Sequence, residues 1–195
     1  MTGRLRGLLP ALLVAALALG ACSSPAREPD ARPPAGGAQT LPGPPPADLA
    51  LRPPPATAPA APSFTATLTD GTGVAAATLW ADRPVVLLFV SSWCTTCADR
   101  QRALADLARR YRDRVVFVGV AGEDEPAALD GYLREHGVEH PVVIDGSMTV
   151  WRSYAMREPP GVVLISRGGR LLRGWPGGVD AATLDAQLRA LALAP

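Results

Sequence analysis

Apolar positions along this chain follow three regimes. Up to residue 21 they form one run, Leu8 to Leu19, behind Arg4 and Arg6. From Ser23 to about Pro62 bulky apolar residues thin out among Pro, Ala and Gly, with Pro33-Pro34, Pro44-Pro45-Pro46 and Pro53-Pro54-Pro55. Beyond Ser63, apolar runs of strand length alternate with stretches of helical period, the pattern of an α/β domain of roughly 130 residues.

Within that domain Phe64-Thr65-Ala66-Thr67-Leu68-Thr69 predicts a strand ended by the turn Asp70-Gly71-Thr72-Gly73, and a second extended piece is expected near Ala76 to Leu79. Val85 to Val90 is apolar throughout and partly β-branched, which predicts a central strand covered on both faces. A helix from about Thr95 to Tyr111 follows, with Cys97, Leu104, Leu107, Ala108 and Tyr111 inward and Asp99, Arg102, Asp106 and Arg109 outward. Val115 to Val120 repeats the buried-strand pattern. Glu125 to His136 predicts a helix with Leu129, Tyr132 and Leu133 inward and Gly137 as its C-cap. Val142-Val143-Ile144-Asp145 is a short strand, after which Ser147 is placed to cap a helix through Trp151 and Tyr154. Gly161 to Ser166 and Arg170 to Gly174 predict an antiparallel hairpin across Arg167-Gly168-Gly169, and Asp180 caps a last helix with Leu184, Leu188 and Leu191 inward. Crossover units followed by a hairpin make a three-layer α/β domain on a mixed sheet.

Charge narrows the partners. A net charge of +1 with only 2 His argues against nucleic acid, because phosphate binding leans on a strong basic excess. The 3 cysteines divide into Cys94 with Cys97, and Cys22 alone. A basic start, a short apolar run and Leu19-Gly20-Ala21-Cys22 predict a signal peptide over residues 1–21, too short for a comfortable membrane span. The segment resembles a bacterial lipoprotein signal, which implies that Cys22 carries a lipid. Residues 22–62 then read as lipid anchor and Pro/Ala-rich disordered linker, a semi-rigid spacer, and 63–195 as the folded domain.

The chemistry lies where Val85 to Val90 runs through Ser91-Ser92-Trp93 into Cys94-Thr95-Thr96-Cys97. Cysteines at this spacing, at the mouth of a helix, share one side of its first turn and are within reach of a disulfide. The free N–H groups and dipole of the helix favour a thiolate on the first of them. Such a dithiol exchanges disulfides: Cys94 attacks, a mixed disulfide forms, and Cys97 resolves it. Thr95 and Thr96 carry no charge, so they leave the direction of electron flow open.

Trp93-Cys94-Thr95-Thr96-Cys97 between such a strand and helix, the strand and helix inserted from Val115 to Ile144, and Pro160 ahead of Val162-Val163-Leu164-Ile165 together resemble the thioredoxin superfamily. The likeness is to its TlpA/ResA-like branch of membrane-tethered extracytoplasmic thiol-disulfide oxidoreductases, and it runs from about Phe64 to the C-terminus. It implies a thioredoxin-like three-layer α/β/α sandwich with a mixed central sheet, extra N-terminal strands and a ResA-type β-α insert. Position by position, it implies Cys94 as the exposed attacking thiol and Cys97 as the buried resolving thiol. Trp93 would cover the site, and Pro160 would be the cis-proline shaping the substrate groove. Glu123, in Ala121-Gly122-Glu123, aligns with a glutamate near the dithiol in ResA-like members, which implies a part in moving the proton of the resolving cysteine.

Two positions depart from the pattern. Thioredoxins bury an aspartate six residues before the first cysteine, where this chain has Leu88, so Glu123 inherits the proton-acceptor role. The residue before Pro160 is Pro159, which removes a backbone donor that would pair with a bound peptide and predicts altered substrate capture.

The competing reading from another class is a non-enzymatic lipoprotein whose CxxC is a structural disulfide or a metal site. Cys94, Cys97, His136 and His140 give C-x2-C and H-x3-H, but about 38 residues separate the pairs, far more than in a compact zinc finger. A peroxidase-like thiol has less support than dithiol exchange. The expectation is therefore an enzyme in the cell envelope, lipid-anchored on the extracytoplasmic face and needing no cofactor or metal. It would act on protein dithiol and disulfide clients, more as a reductase than as an oxidase, with an upstream electron donor in the membrane.

Overall fold

In chain order the elements are β1 (Thr65–Leu68), β2 (Gly73–Ala75), α1 (Ala76–Leu79), β3 (Val85–Val90), α2 (Thr95–Tyr111), β4 (Val116–Ala121), α3 (Pro126–Glu135), β5 (Val142–Ile144), α4 (Thr149–Ser153), β6 (Gly161–Ile165), β7 (Leu171–Pro176) and α5 (Ala181–Leu191). This is a computed structural model that describes residues 32–195; the predicted signal peptide and Cys22 lie outside the described residues. One seven-stranded mixed sheet runs in the order β2-β1-β5-β4-β3-β6-β7. The central strand β3 is parallel to β4 and antiparallel to β6.

The continuous apolar run of β3 serves two cores at once. Successive side chains on a strand point to opposite faces. Val85, Leu87 and Phe89 therefore pack into one core with Leu79 of α1 and Val150 and Trp151 of α4. Val86, Leu88 and Val90 pack into the other with Leu104 and Leu107 of α2 and Leu184 and Leu188 of α5. Cys94, Cys97 and the inward face of α3, Leu129, Tyr132 and Leu133, form a third cluster. The result is the thioredoxin-like α/β/α arrangement, with the α2 N-terminus at the carboxyl end of the central strand.

Three local expectations change. The piece Ala76 to Leu79 is a helical turn rather than a strand. Its two buried residues, Ala76 and Leu79, are three apart, a helical spacing, and the Thr78 hydroxyl donates back to the Ala75 carbonyl at 2.7 Å. The cap of α4 is supplied by Asp145 rather than Ser147. The Asp145 carboxylate accepts from the backbone N–H of Thr149 and of Trp151, both at 2.9 Å, while Met148 turns the chain at φ 55°.

The third change is the largest. From Arg32 to Pro62 the stretch expected to be a disordered spacer lies against the domain. The Val142 N–H at the start of β5 donates to the Gly36 carbonyl at 2.8 Å, and the Ala35 N–H donates to Asp130 of α3 at 2.8 Å. Buried Arg83 donates to the Gly43 carbonyl at 2.6 Å. Leu51 bridges to Leu193 beyond α5, and Ala60 to Arg170 before β7. Ala58 and Ala61 are buried. Proline-rich extended chain cannot build its own core, but its carbonyls and small side chains can bond to and fill grooves in one already formed.

Candidate active site

Cys94 is the N-cap of α2, and the Cys97 N–H donates to its sulfur at 3.0 Å. The two cysteines are joined as a disulfide with Cα atoms 5.2 Å apart. No carboxylate lies in the first turn of this 17-residue helix, whose last turn carries Arg109 and Arg110. The dipole therefore acts on the Cys94 sulfur without local neutralisation, which favours a thiolate once the bond is reduced. Cys94 was expected to be exposed, yet it is only 4% exposed, much like Cys97 at 3%. Its sulfur turns into the helix mouth, where it accepts the Cys97 N–H and bonds to Cys97.

Trp93 is 58% exposed beside the disulfide, and its indole N–H donates to the Glu123 carbonyl at 3.2 Å. Glu123 sits in the left-handed region at φ 55° with its side chain exposed. The structure thus brings the Glu123 main chain to the site, while its carboxylate faces solvent. The neighbouring Asp124, which sequence reasoning passed over, holds the cysteine loop instead. Its carboxylate accepts from the Ser92 N–H at 3.0 Å and from the Ser92 hydroxyl, and the Ser91 hydroxyl donates to the Gly122 carbonyl at 2.6 Å. The signal for this clamp was two serines before Trp93 and an acid just past the neighbouring strand, legible only once β3 and β4 are known to be adjacent.

The Pro159–Pro160 peptide bond is cis. Pro160 shares a narrow cleft with Leu88, Cys97, Arg100, Gln101 and Gly178. Arg100 donates to the Gly177 carbonyl at 3.0 Å and borders Pro160. Gly178 is required there, since at φ 77° a Cβ would come within 2.9 Å of Pro160 and 3.0 Å of the Arg100 guanidinium.

The histidines of the metal reading are used in packing. His140 is buried against Phe117, ring centroids 6.4 Å apart, and burial pushes its pKa down to about 4; His136 packs at a tilt against Tyr132, ring centroids 4.6 Å apart. Among the described residues no group of three or more His, Cys, Asp or Glu converges as a metal site would require.

Residues 58–173 match the AhpC/TSA family. A thiol-disulfide oxidoreductase, ResA, of Halalkalibacterium halodurans is 25% identical over 102 residues, which are 52% of this chain and 58% of that protein; the match thus spans little more than half the length of the relative. Among solved structures, dsbF of MTB, in mixed oxidised and reduced forms, superposes with a TM-score of 0.61 at 25% identity, covering 65% of this chain and 93% of that one. The exposed lipoprotein thioredoxin Etrx1 of Streptococcus pneumoniae shares the fold at 22% identity with a TM-score of 0.59, covering 67% of this chain and all of the other.

Proposed function

Since the chain belongs to the AhpC/TSA family and has the thioredoxin-like fold, we propose that it is a thiol-disulfide oxidoreductase of the cell envelope, exchanging disulfides with client proteins through Cys94 and Cys97. The observation that carries this reading is the disulfide capping a long helix free of acidic residues in its first turn, beside a cis-proline. A structural disulfide needs neither the helix N-terminus nor the groove.

In this reading, with the pair reduced, the Cys94 thiolate attacks a client disulfide, forming a mixed disulfide and releasing one client thiolate. The Cys97 thiolate then attacks the Cys94 sulfur, closing the intramolecular disulfide and releasing the second client thiolate, which takes up the proton Cys97 gave away. Pro159 offers no N–H to a client backbone, so recognition leans on exposed Trp93 and the Pro160 surface. Reduction of clients, with electrons drawn from a membrane donor, is the direction we assign. The location rests on the sequence before Cys22, and residues 1–21 as signal and Cys22 as lipid-bearing residue belong to this proposal.

The test is mixed-disulfide trapping in cells. Cys97→Ser should accumulate Cys94-linked clients that reducing agent releases, and Cys94→Ser should accumulate none. Equal labelling of the two variants would overturn the reading. Direction is read from the redox equilibrium with glutathione, where a reductase lies on the reducing side of the envelope's client disulfides. A mature mass unchanged by Cys22→Ser would remove the lipid anchor.

A further inference from the structure

The resolving thiol has a polar neighbour that the reaction as described does not use. Gln101 lies one helical turn beyond Cys97 on the inward face of α2, and the two line the same pocket. Residues four apart on a helix are neighbours, and the later side chain leans back toward the earlier one. Gln101 is only 2% exposed. Its oxygen accepts from the Tyr132 hydroxyl of α3 at 3.4 Å, and its nitrogen donates to no partner among the described residues. Burial of Tyr132, with a smaller contribution from the Asp124 charge, pushes its phenol pKa well up, so Tyr132 remains a donor at every physiological pH. With the amide oxygen turned toward α3 in this long contact, the two N–H groups are left without a protein partner among the described residues.

The rest of the pocket offers little competition. From β3 it receives Leu88, Phe89 and Val90, and from the Pro160 side Pro160, Gly161 and Val162. Gly178 and Val179 close it. The charged and titratable groups around Cys97 are Arg100 on its own helix, bonded to the Gly177 carbonyl, Cys94, Tyr132 of α3 and Asp124 behind Tyr132; no carboxylate lines the pocket. A thiolate formed there meets Arg100 and the Gln101 amide on the pocket wall and no carboxylate on it, Asp124 standing behind Tyr132.

We propose that Gln101 solvates the thiolate of Cys97 through its amide N–H, directly or across one water, and so makes the resolving thiol a stronger acid than an apolar pocket would allow. This rests on the dithiol-exchange reading. The donor acts while Cys97 attacks the Cys94 sulfur: the Cys97–Cys94 bond forms, the Cys94–client bond breaks, and the electron pair leaves on the client thiolate. An N–H donor stabilises the thiolate of the reduced form and has no equivalent partner in the disulfide, so it also favours the reduced protein.

The experiment uses the full chain. Gln101→Leu keeps the volume and removes the donors. The Cys97 pKa is read from the pH dependence of its alkylation in a Cys94→Ser background, and the redox equilibrium against glutathione is read with both cysteines present. The expected result is a Cys97 pKa higher by about one unit and, with the glutathione equilibrium read at a pH above both Cys97 pKa values, a roughly tenfold shift toward the disulfide, about 30 mV more negative. Gln101→Glu should raise the Cys97 pKa further, because it sets a carboxylate beside the thiolate. Tyr132→Phe, which frees the amide from its hydroxyl, should move both readouts less and in the same direction, and serves if Gln101→Leu does not fold. Variants that fold with Cys97 pKa and glutathione equilibrium within twofold of wild type overturn the proposal and leave Gln101 as packing. Failure of the wild type to exchange disulfides with glutathione or any protein disulfide overturns the underlying reading instead, and is scored separately.

Discussion

At position 88 an apolar side chain stands where thioredoxins bury an aspartate, and at position 124 an acid stands where the sequence offered no reason to look. Leu88 fills the core under α2, so no carboxylate is available from β3 to take a proton from Cys97. By the resemblance that role falls to Glu123, whose carboxylate is exposed. Glu123→Gln tests it: a proton acceptor predicts loss of the acid limb in the pH profile of resolution, where the carboxylate would take up its proton, and an unmoved profile assigns Glu123 only the carbonyl that holds Trp93. Asp124 has the opposite character, spending both oxygens on Ser92. Asp124→Ala should strand the Ser92 N–H and lower stability by about 2 kcal/mol in urea denaturation. It should also slow exchange, because the loop carrying Trp93 and Cys94 loses its clamp.

Among elements, the proline-rich segment is the one whose role changed most. Composition gives residues 32–62 too little bulky apolar surface for a core of their own. What composition lacks is the set of grooves the segment occupies, along β5, across Arg83, beside α5 and at the start of β7. A chain beginning at Ser63 should therefore be less stable than one beginning at Arg32 by roughly 3 kcal/mol or more, the loss of one or two buried aliphatic side chains and several hydrogen bonds. Chemical denaturation of the two truncations reads this, and equal midpoints would return the segment to the status of a spacer. The short elements teach the same lesson. Ala76 to Leu79 has an ambiguous pattern, and only its packing under Phe64 and Trp80 selects a helical turn.

For the whole molecule, the buried His140 sets an acid limit on stability. Burial lowers its pKa from 6.5 to about 4, so between these values the unfolded chain binds a proton that the folded chain does not. Its contribution is complete above pH 6.5 and is lost as pH falls toward 4, up to about 3 kcal/mol for this shift. Urea midpoints should fall between pH 7 and pH 4.5, and His140→Phe should flatten that part of the profile; an unchanged slope would mean that other groups carry it. From β3 onward the order of strands and helices, the buried central strand and the Cys94/Cys97 pair at a helix mouth were legible in the chain, because hydrophobic period and capping chemistry act over a few neighbouring residues. Only the folded molecule could decide the rest: that the proline segment is part of the domain, that Cys94 turns inward, that Asp124 clamps Ser92, and that Gln101 shares a pocket with Cys97 and Pro160. Those relations join residues as far apart as Leu51 and Leu193, and no local pattern records which buried surfaces meet.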